Sequence, residues 1–586
     1  MEKEKIIKDN VHGYIHINEN YFNIIDTALF QRLKNIKQTS YSSLYPSSTH
    51  DRFMHSLGTY YLGKQVIESV WNNLDNELNM IIERVCDKKG LTFTFEMACL
   101  LHDVGHAPFS HTGENFYSLR KIDESLSFYS ELSHYIEKNR ISNFSYIDGM
   151  LINELSNIYS CEDLKSCSVI RDFVEDYRRI LRANSAKPHE KISALLGLSK
   201  FNTEINAISK KSKAQFNADF FVRCITGTKY NKVYRNQDER YKYTFCNAII
   251  ELLYSEVIDV DKLDYILRDN FMTGFHNTSI DVERLVKSFS IVLYKNECCL
   301  VYKKNGLSVI ENVVRANDST RRWVQNHPII LYDTYITQKS ICEAFKIFKE
   351  KKDDSKVFEK FFSAESLTLE GIEWAPSEYV FLASDLDVIS LIKRAARECN
   401  DEYQEEIFKE YFSRNERRHP LWKSEAEYKI CFDFKNDEMS EQQKNILNEI
   451  MNAITEIEGW KDQSTDIGEY IFTEKTYKEI KKRETASAGK VLDAIHAYFK
   501  SINKPMDIVI LTTQSFSSRM KKLNTSALKV EMPNYNIETD ITIYRYSDLF
   551  KIDDASSDSR IFYMYSHHKI DTKDFLRYLF NKAEFD

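Results

Sequence analysis

A mainly α fold with a C-terminal α+β lobe is the expectation, and three observations in the 586-residue sequence carry it. Glycine and proline are scarce, at 15 and 8, while tyrosine and phenylalanine number 35 and 36, a balance that suits helices with well-filled packing layers. Apolar residues recur at helical spacing through most of the chain. After about Ser424 the texture changes to short β-rich runs.

In chain order, residues 1–50 read as a lead-in with strand-like pieces (Tyr14-Ile-His-Ile) and a helix around Ile24–Ile36. Leu57, Tyr61, Val66, Val70 and Leu74 mark a helix. The apolar segment Phe95–Leu101 runs into His102-Asp103 and is stopped by Gly105 and Pro108. Residues 112–188 are charged and helical in pattern, a further helix covers Asp259–Asp269, and helices fill 330–415. The runs beginning at Tyr428, Asp507, Asp540 and Ile561 (Tyr428-Lys-Ile-Cys-Phe-Asp-Phe the first) predict strands. The domains expected are a core over 1–330, a helical extension over 331–424 and an α+β lobe over 425–586.

The net charge of −8 provides no global basic field, so a nucleic-acid partner is not expected and local Arg and Lys residues must hold any anionic substrate. Eleven cysteines without a Cys-x-x-Cys pair argue against a disulfide framework or a thiolate zinc site, and Cys298-Cys299 read as plain thiols. No apolar run approaches a membrane span and the N-terminus lacks a signal-peptide core, so the expectation is a cytoplasmic protein without a membrane partner.

His-Asp occurs twice, at His50-Asp51 and His102-Asp103, and the dipeptide alone says little. The second pair closes an apolar helix and is followed by His106 and His111. Polar groups at the end of a buried helix are costly unless paired or bound to something. These four groups are either part of a metal site with an acid/base pair or a structural polar cluster. Imidazole with carboxylate suits Mn, Fe, Zn or Co better than Ca. Further on, Asp261, Tyr265 and Asp269 fall at i, i+4 and i+8 with Lys262 on the flank, either a solvated salt-bridge face or a stripe carrying a metal ligand and phosphate and sugar contacts.

Six segments then occur in order: Asp9-Asn-Val-His-Gly13, Ile25–Leu33, Ile36-Lys-Gln38, His50–Gly58, His102–His111 and Asp259–Asp269. Together they resemble the HD-domain deoxynucleoside triphosphate triphosphohydrolases, closely over about 1–110 and 186–290 and more loosely to about 425. The resemblance implies an HD-domain helical core and hydrolysis of a dNTP to deoxynucleoside and triphosphate. By resemblance the metal ligands are His55, His102, Asp103 and Asp261, which leaves His50-Asp51 outside the set. His106 touches the α-phosphate, and His111 is the catalytic acid or base, oriented by Glu114 and His189. Arg52, Lys262 and Tyr265 hold phosphates, Gln38 and Asp269 test the sugar 3′-hydroxyl, and Arg322 lies by the substrate. The resemblance further implies a divalent transition metal in the HD site and Mg with the triphosphate.

Three departures bear on the carry-over. His111 and His189 are separated by an insertion of about 115–183, readable as a lid, an oligomer contact or an inert segment. Glu114 stands where the family has Asp. The arginine pair Arg321-Arg322 is followed by Trp323 and Val324, where the family places a tyrosine. The resemblance also implies a homo-oligomer, a tetramer in the family, activated by a nucleotide at Lys5, Asp26, Gln31 and Lys34 with Arg284 near a second nucleotide. It implies a biological role in limiting phage or virus replication. The competing readings are an HD-type phosphodiesterase or nucleotidase for another nucleotide, and a nucleotide sensor without turnover.

Overall fold

Helix formation begins from side-chain caps. In the computed structural model Asp51 accepts the Met54 amide at 2.9 Å and opens α1 (Arg52–Asn73). The structure describes residues 4–119, 145–160, 167–183, 186–275, 279–352, 360–375 and 378–432, then 448, 450, 452–453, 471–473, 477, 486–513, 528–533, 541–545 and 561–582. The chain is mainly helical with a C-terminal α+β region, and its contacts divide it into two units built from interleaved segments.

The first unit comprises Met1–Thr320, Asp354–Ile389 and Ser518–Ala555. α1 is buried on most of its faces, as its apolar and small residues require. α2 (Lys88–Leu101) is the predicted apolar segment, and Phe95 and Met97 to Leu101 are fully buried in it. Two helices of the insertion follow, α3 (Tyr146–Ile158) and α4 (Ser168–Ala183); positions 120–144 and 161–166 of it lie outside the described residues. α5 (Pro188–Ser199) has proline in its first turn, where the missing N–H costs nothing. After α6 (Ala218–Thr226) and α7 (Gln237–Leu253) comes α8 (Val260–Thr273), opened by Asp259, which accepts the Lys262 amide at 2.7 Å. α1 packs against α2 and α8, and α5 against α3 and α6.

The described part of the insertion is anchored in this core. Tyr177 of α4 donates its hydroxyl to Asp148 of α3 at 2.6 Å, and Lys191 of α5 reaches the same buried carboxylate at 3.1 Å. β1 (Glu4–Asp9) and β2 (Gly13–Asn18) form an antiparallel hairpin. β3 (Phe289–Tyr294) and β4 (Glu297–Lys303) form another, which Lys529–Pro533 extends in parallel to β4 and Ile541–Arg545 completes.

The second unit comprises Arg321–Asp353, Ser390–Ser517 and Ser556–Asp586. Its four-stranded sheet runs in the order His419–Pro420, Phe562–Ser566, Asp507–Thr512, Ile471–Thr473. Trp422, Ile508, Phe562 and Tyr565 are central to its core.

Several local expectations are corrected. The run from Tyr428 forms a helix, Glu425–Phe432, rather than a strand. Glu425 and Glu427 favour a helix N-terminus, Glu425 pairs with Lys429 at 2.9 Å, and Tyr428 is buried while Ile430 is 72% exposed, although a strand would put both on one face. The helix expected over Ile24–Ile36 is broken into Phe22–Ile25, Ala28–Gln31 and the 3-10 turn Arg32–Asn35, because Thr27 accepts the Phe30 amide and starts a new helix. Among the helices expected over 330–415 sits a small hairpin, Ile372–Ala375 with Glu378–Val380. Cys167 is disulfide-bonded, while nine other described cysteines are free thiols. Among the described residues no helix is long and apolar enough to cross a membrane.

Candidate functional site

Three helices bring four donors together. α1 supplies His55, the end of α2 supplies His102 and Asp103, and the first turn of α8 supplies Asp261. His55 Nε2 lies 3.0 Å from Asp261 Oδ1 and 3.4 Å from Asp103 Oδ2. His102 Nε2 lies 3.5 Å from both Asp103 Oδ1 and Asp261 Oδ1. Nδ1 of His102 faces the Cys99 carbonyl at 2.9 Å and must donate to it, so in a neutral ring Nε2 turns a lone pair toward two carboxylates. That nitrogen is buried without a hydrogen-bond partner. A cation or a proton is needed between these groups. Ligand atoms of His55, His102 and Asp261 all lie within 4.8 Å of one another, so the donor set fits a divalent transition metal.

The electrostatics agree. Burial depresses His55, but Asp261 and Asp264 outweigh it and push the imidazole up to about 9. His102 is likewise raised, burial being overcome by Asp103 and Asp261. Burial opposes the charge on Asp103, yet Arg52, His102 and His106 hold its carboxyl well below the usual carboxylate range.

Next to the four donors stands a second group. His106 stacks on His189 with ring centroids 4.0 Å apart, and His111 meets both rings edge-on. Glu114 joins the outer two, with Oε2 2.8 Å from His111 Nδ1 and Oε1 2.5 Å from His189 Nδ1. Glutamate at this position therefore spans both histidines. Burial pushes His106 down, aided by the Arg52 charge; its Nε2 lies 3.2 Å from Asp103 Oδ1, and neither ring nitrogen makes a well-formed hydrogen bond. Desolvation also lowers His111, to about 4 against the pull of Glu114, although water on its 55% exposed side chain moderates that effect.

Of the residues assigned to substrate, Arg52 is buried and engaged: Nη1 meets Asp103 at 2.7 Å, Nε meets Ser110 Oγ at 3.0 Å, and Nη2 reaches the Gln38 carbonyl at 3.3 Å. Gln38 Oε1 is buried without a partner. Asp269 is held by His50, Nε2 to Oδ1 at 2.9 Å, so the first His-Asp pair has a structural role in which His50 orients Asp269 and Asp51 caps α1. Lys262 is turned onto Asp259 and the Ser255 carbonyl. Tyr265 is half-buried on α8. Arg322 belongs to the second unit, where it forks onto Glu425 at 2.6 and 2.7 Å; there Val324 is buried and Trp323 is 44% exposed.

Of the residues assigned to an activator, Lys5 pairs with Asp26 at 2.6 Å, and Gln31 donates to the carbonyl of neighbouring Ile25 at 2.8 Å. Lys34 lies 4.6 Å over the Phe53 ring. Arg284 is exposed on the short helix Val282–Val286.

Four supporting residues escape sequence reasoning. Arg32 is buried and pins the turn after His102 through the carbonyls of Val104 and His106. Asp385 accepts the amides of Lys37 and Phe109 at 3.0 and 2.6 Å. It thereby holds a strained approach to His111, since Phe109 and Ser110 take φ of 60° and 50°. Ser193 of α5 accepts the Gly105 amide at 2.9 Å. Asp264 contacts His55. Asp264 and Arg32 carry a local signal, lying in the motifs Asp259–Asp269 and Ile25–Leu33.

No family model matches the chain. It is 24% identical over 367 residues to Uncharacterized protein YwfO of Bacillus subtilis, covering 61% of this chain and 59% of that one. It is 42% identical over 111 residues to Uncharacterized protein MJ1154 of Methanocaldococcus jannaschii, 19% of this chain and 21% of that one. It is 30% identical over 159 residues to Deoxynucleoside triphosphate triphosphohydrolase SAMHD1 of Danio rerio, 26% of this chain and 24% of that one. The chain thus spans less than two thirds of the length of each of these relatives. The partial likenesses support an HD domain.

Proposed function

We propose that the chain is a metal-dependent HD-type phosphohydrolase that cleaves deoxynucleoside triphosphates to deoxynucleoside and triphosphate. The observation that carries this is the convergence of His55, His102, Asp103 and Asp261 beside the His111–Glu114–His189 relay. Likeness to a protein named a dNTP triphosphohydrolase supports the substrate class.

His55, His102, Asp103 and Asp261 would hold Mn, Fe, Zn or Co. Such an ion supplies a Lewis acid for a phosphoryl oxygen and lowers the pKa of water from about 15.7 toward 7 in the best cases. The protein's own groups do the rest. Glu114 accepts from His111 Nδ1 and so leaves Nε2 free to exchange a proton with the attacking water or the departing 5′-oxygen. The same carboxylate stabilises the imidazolium once that proton is taken. His106, kept neutral by burial, can give one N–H to an α-phosphate oxygen. Arg52 and Lys262 bring positive charge to a triphosphate that enters with Mg. The unpartnered Gln38 oxygen and the His50-held Asp269 carboxylate are suited to accept a sugar 3′-hydroxyl.

The test is incubation with each dNTP and NTP plus Mn²⁺ or Mg²⁺ in ¹⁸O-water, with chromatography of the products. Deoxynucleoside and labelled triphosphate are expected. Monophosphate with pyrophosphate would move the attacked bond and discard the roles of His106 and Arg52.

A further inference from the structure

The motif Asp9-Asn-Val-His-Gly13 and the glycine at Gly58 take no part in the chemistry above, and both lead to one buried carboxylate. Asp264 of α8 is fully buried. Its Oδ2 faces His55 Nδ1 at 2.7 Å, and its Oδ1 faces His12 Nε2 at 2.6 Å. Arg268 closes the same carboxylate with two contacts of 2.9 Å and forks onto Asp9 at 2.9 and 3.1 Å. Asp9 in turn accepts the His12 amide at 3.2 Å. Gly13, at φ +80°, makes the turn that presents His12. At Gly58 a Cβ would meet Asp264 Oδ1 at 1.9 Å, so glycine there leaves α1 the room in which the carboxylate sits.

An imidazole that binds a cation through Nε2 must keep its proton on Nδ1, and an acceptor at Nδ1 fixes both tautomer and ring orientation. We propose that Asp264 and His12 are positioning residues of the metal centre: Asp264 holds His55 with Nε2 turned to the cation, and His12 clamps Asp264 from the β1–β2 turn. This rests on the reading of His55 as a metal ligand. The N-terminal hairpin is then a working part of the centre rather than a decoration on it.

The experiment measures Mn²⁺ affinity of the full chain by calorimetry, with no nucleotide present, for wild type, Asp264→Asn, His12→Ala and His12→Gln. Removing an outer partner of a ligating histidine costs about 10–100-fold in metal affinity, and Asp264→Asn is expected in that range. His12→Ala should lose less, and His12→Gln, whose amide can still donate to Asp264, should recover most of that loss. Should Asp264→Asn fail to fold, the His12 pair decides, with melting curves confirming an intact core. His12→Ala and His12→Gln variants that bind Mn²⁺ as wild type does would overturn the inference alone. A wild-type protein that binds no Mn²⁺ overturns the metal reading beneath it.

Discussion

Glu114 is the residue through which His111 and His189 act on each other, and removal of either ring separates their roles. His111→Ala should slow hydrolysis by roughly 10²–10⁴-fold, the range of a lost general acid or base, while leaving bound Mn²⁺ unchanged in metal analysis. Equal turnover in the variant would remove His111 from the chemistry. His50→Ala should act differently. It frees Asp269 from its 2.9 Å contact, so KM for the nucleotide should rise with little change in metal content. Loss of metal in that variant would return His50 to the ligand set. At this scale His55, His102, Asp103 and Asp261 are legible only because ordered motifs accompany them. Asp385 is illegible, since its work is done on the amides of Lys37 and Phe109, far away in sequence, and a helix-start aspartate is ordinarily a cap.

Two glycines set how closely the site's elements approach. At Gly105 a Cβ would lie 2.4 Å from the Ser193 amide nitrogen and 2.7 Å from the Ile192 carbonyl carbon, so the turn after His102 touches the backbone of α5. Gly105→Ala should push α5, and His189 with it, away from His106. The expected costs are about 1–3 kcal/mol of stability, read by thermal melting, and reduced turnover. An unchanged melt and rate would mean that the turn adjusts freely. Elements were legible where one period dominates, as in α2, α8 and Asp507–Thr512. The β3–β4 hairpin gives no such signal, because its turn is Lys295-Asn296, both at positive φ, without the glycine that normally marks this geometry. The helix at Glu425–Phe432 misleads for the opposite reason: β-favouring residues sit on a segment whose charges pair at helical spacing.

Across the whole molecule, sequence texture runs linearly while the compact units interleave, because strands such as Lys529–Pro533 find partners in space rather than in order. In the second unit His567 lies 3.0 Å from Asp507, 3.3 Å from Glu406 and 3.5 Å from Glu410, with Arg418 on the same three carboxylates. Burial lowers His567, but Asp507 outweighs it and the imidazole is raised. A raised native pKa gives stability that is complete below the unfolded value of about 6.5 and is lost as pH climbs through the native value. Wild type should therefore melt above His567→Gln at pH 6 and lose that advantage by pH 9; an advantage growing with pH would contradict the pairing. For regulation, the family resemblance puts an arginine, read as pairing with a guanine nucleotide, where this chain has Lys34; lysine offers one compact charge in place of a planar fork, a difference of about 1–3 kcal/mol in base discrimination. We propose, on the resemblance alone, that this chain too is a nucleotide-activated homo-oligomer; activity with each nucleotide added, followed with light scattering, should then show weak preference for GTP, and strict GTP dependence would refute the Lys34 argument. On the function proposed above, hydrolysis belongs to a metal held by His55, His102, Asp103 and Asp261. Chelated wild type and Asp261→Ala should be titrated with Mn²⁺ while bound metal and dNTP turnover are measured on the same samples. Turnover rising in step with occupancy in wild type, with both lost in Asp261→Ala, is the predicted result; full turnover in the chelated protein or in the variant would contradict it.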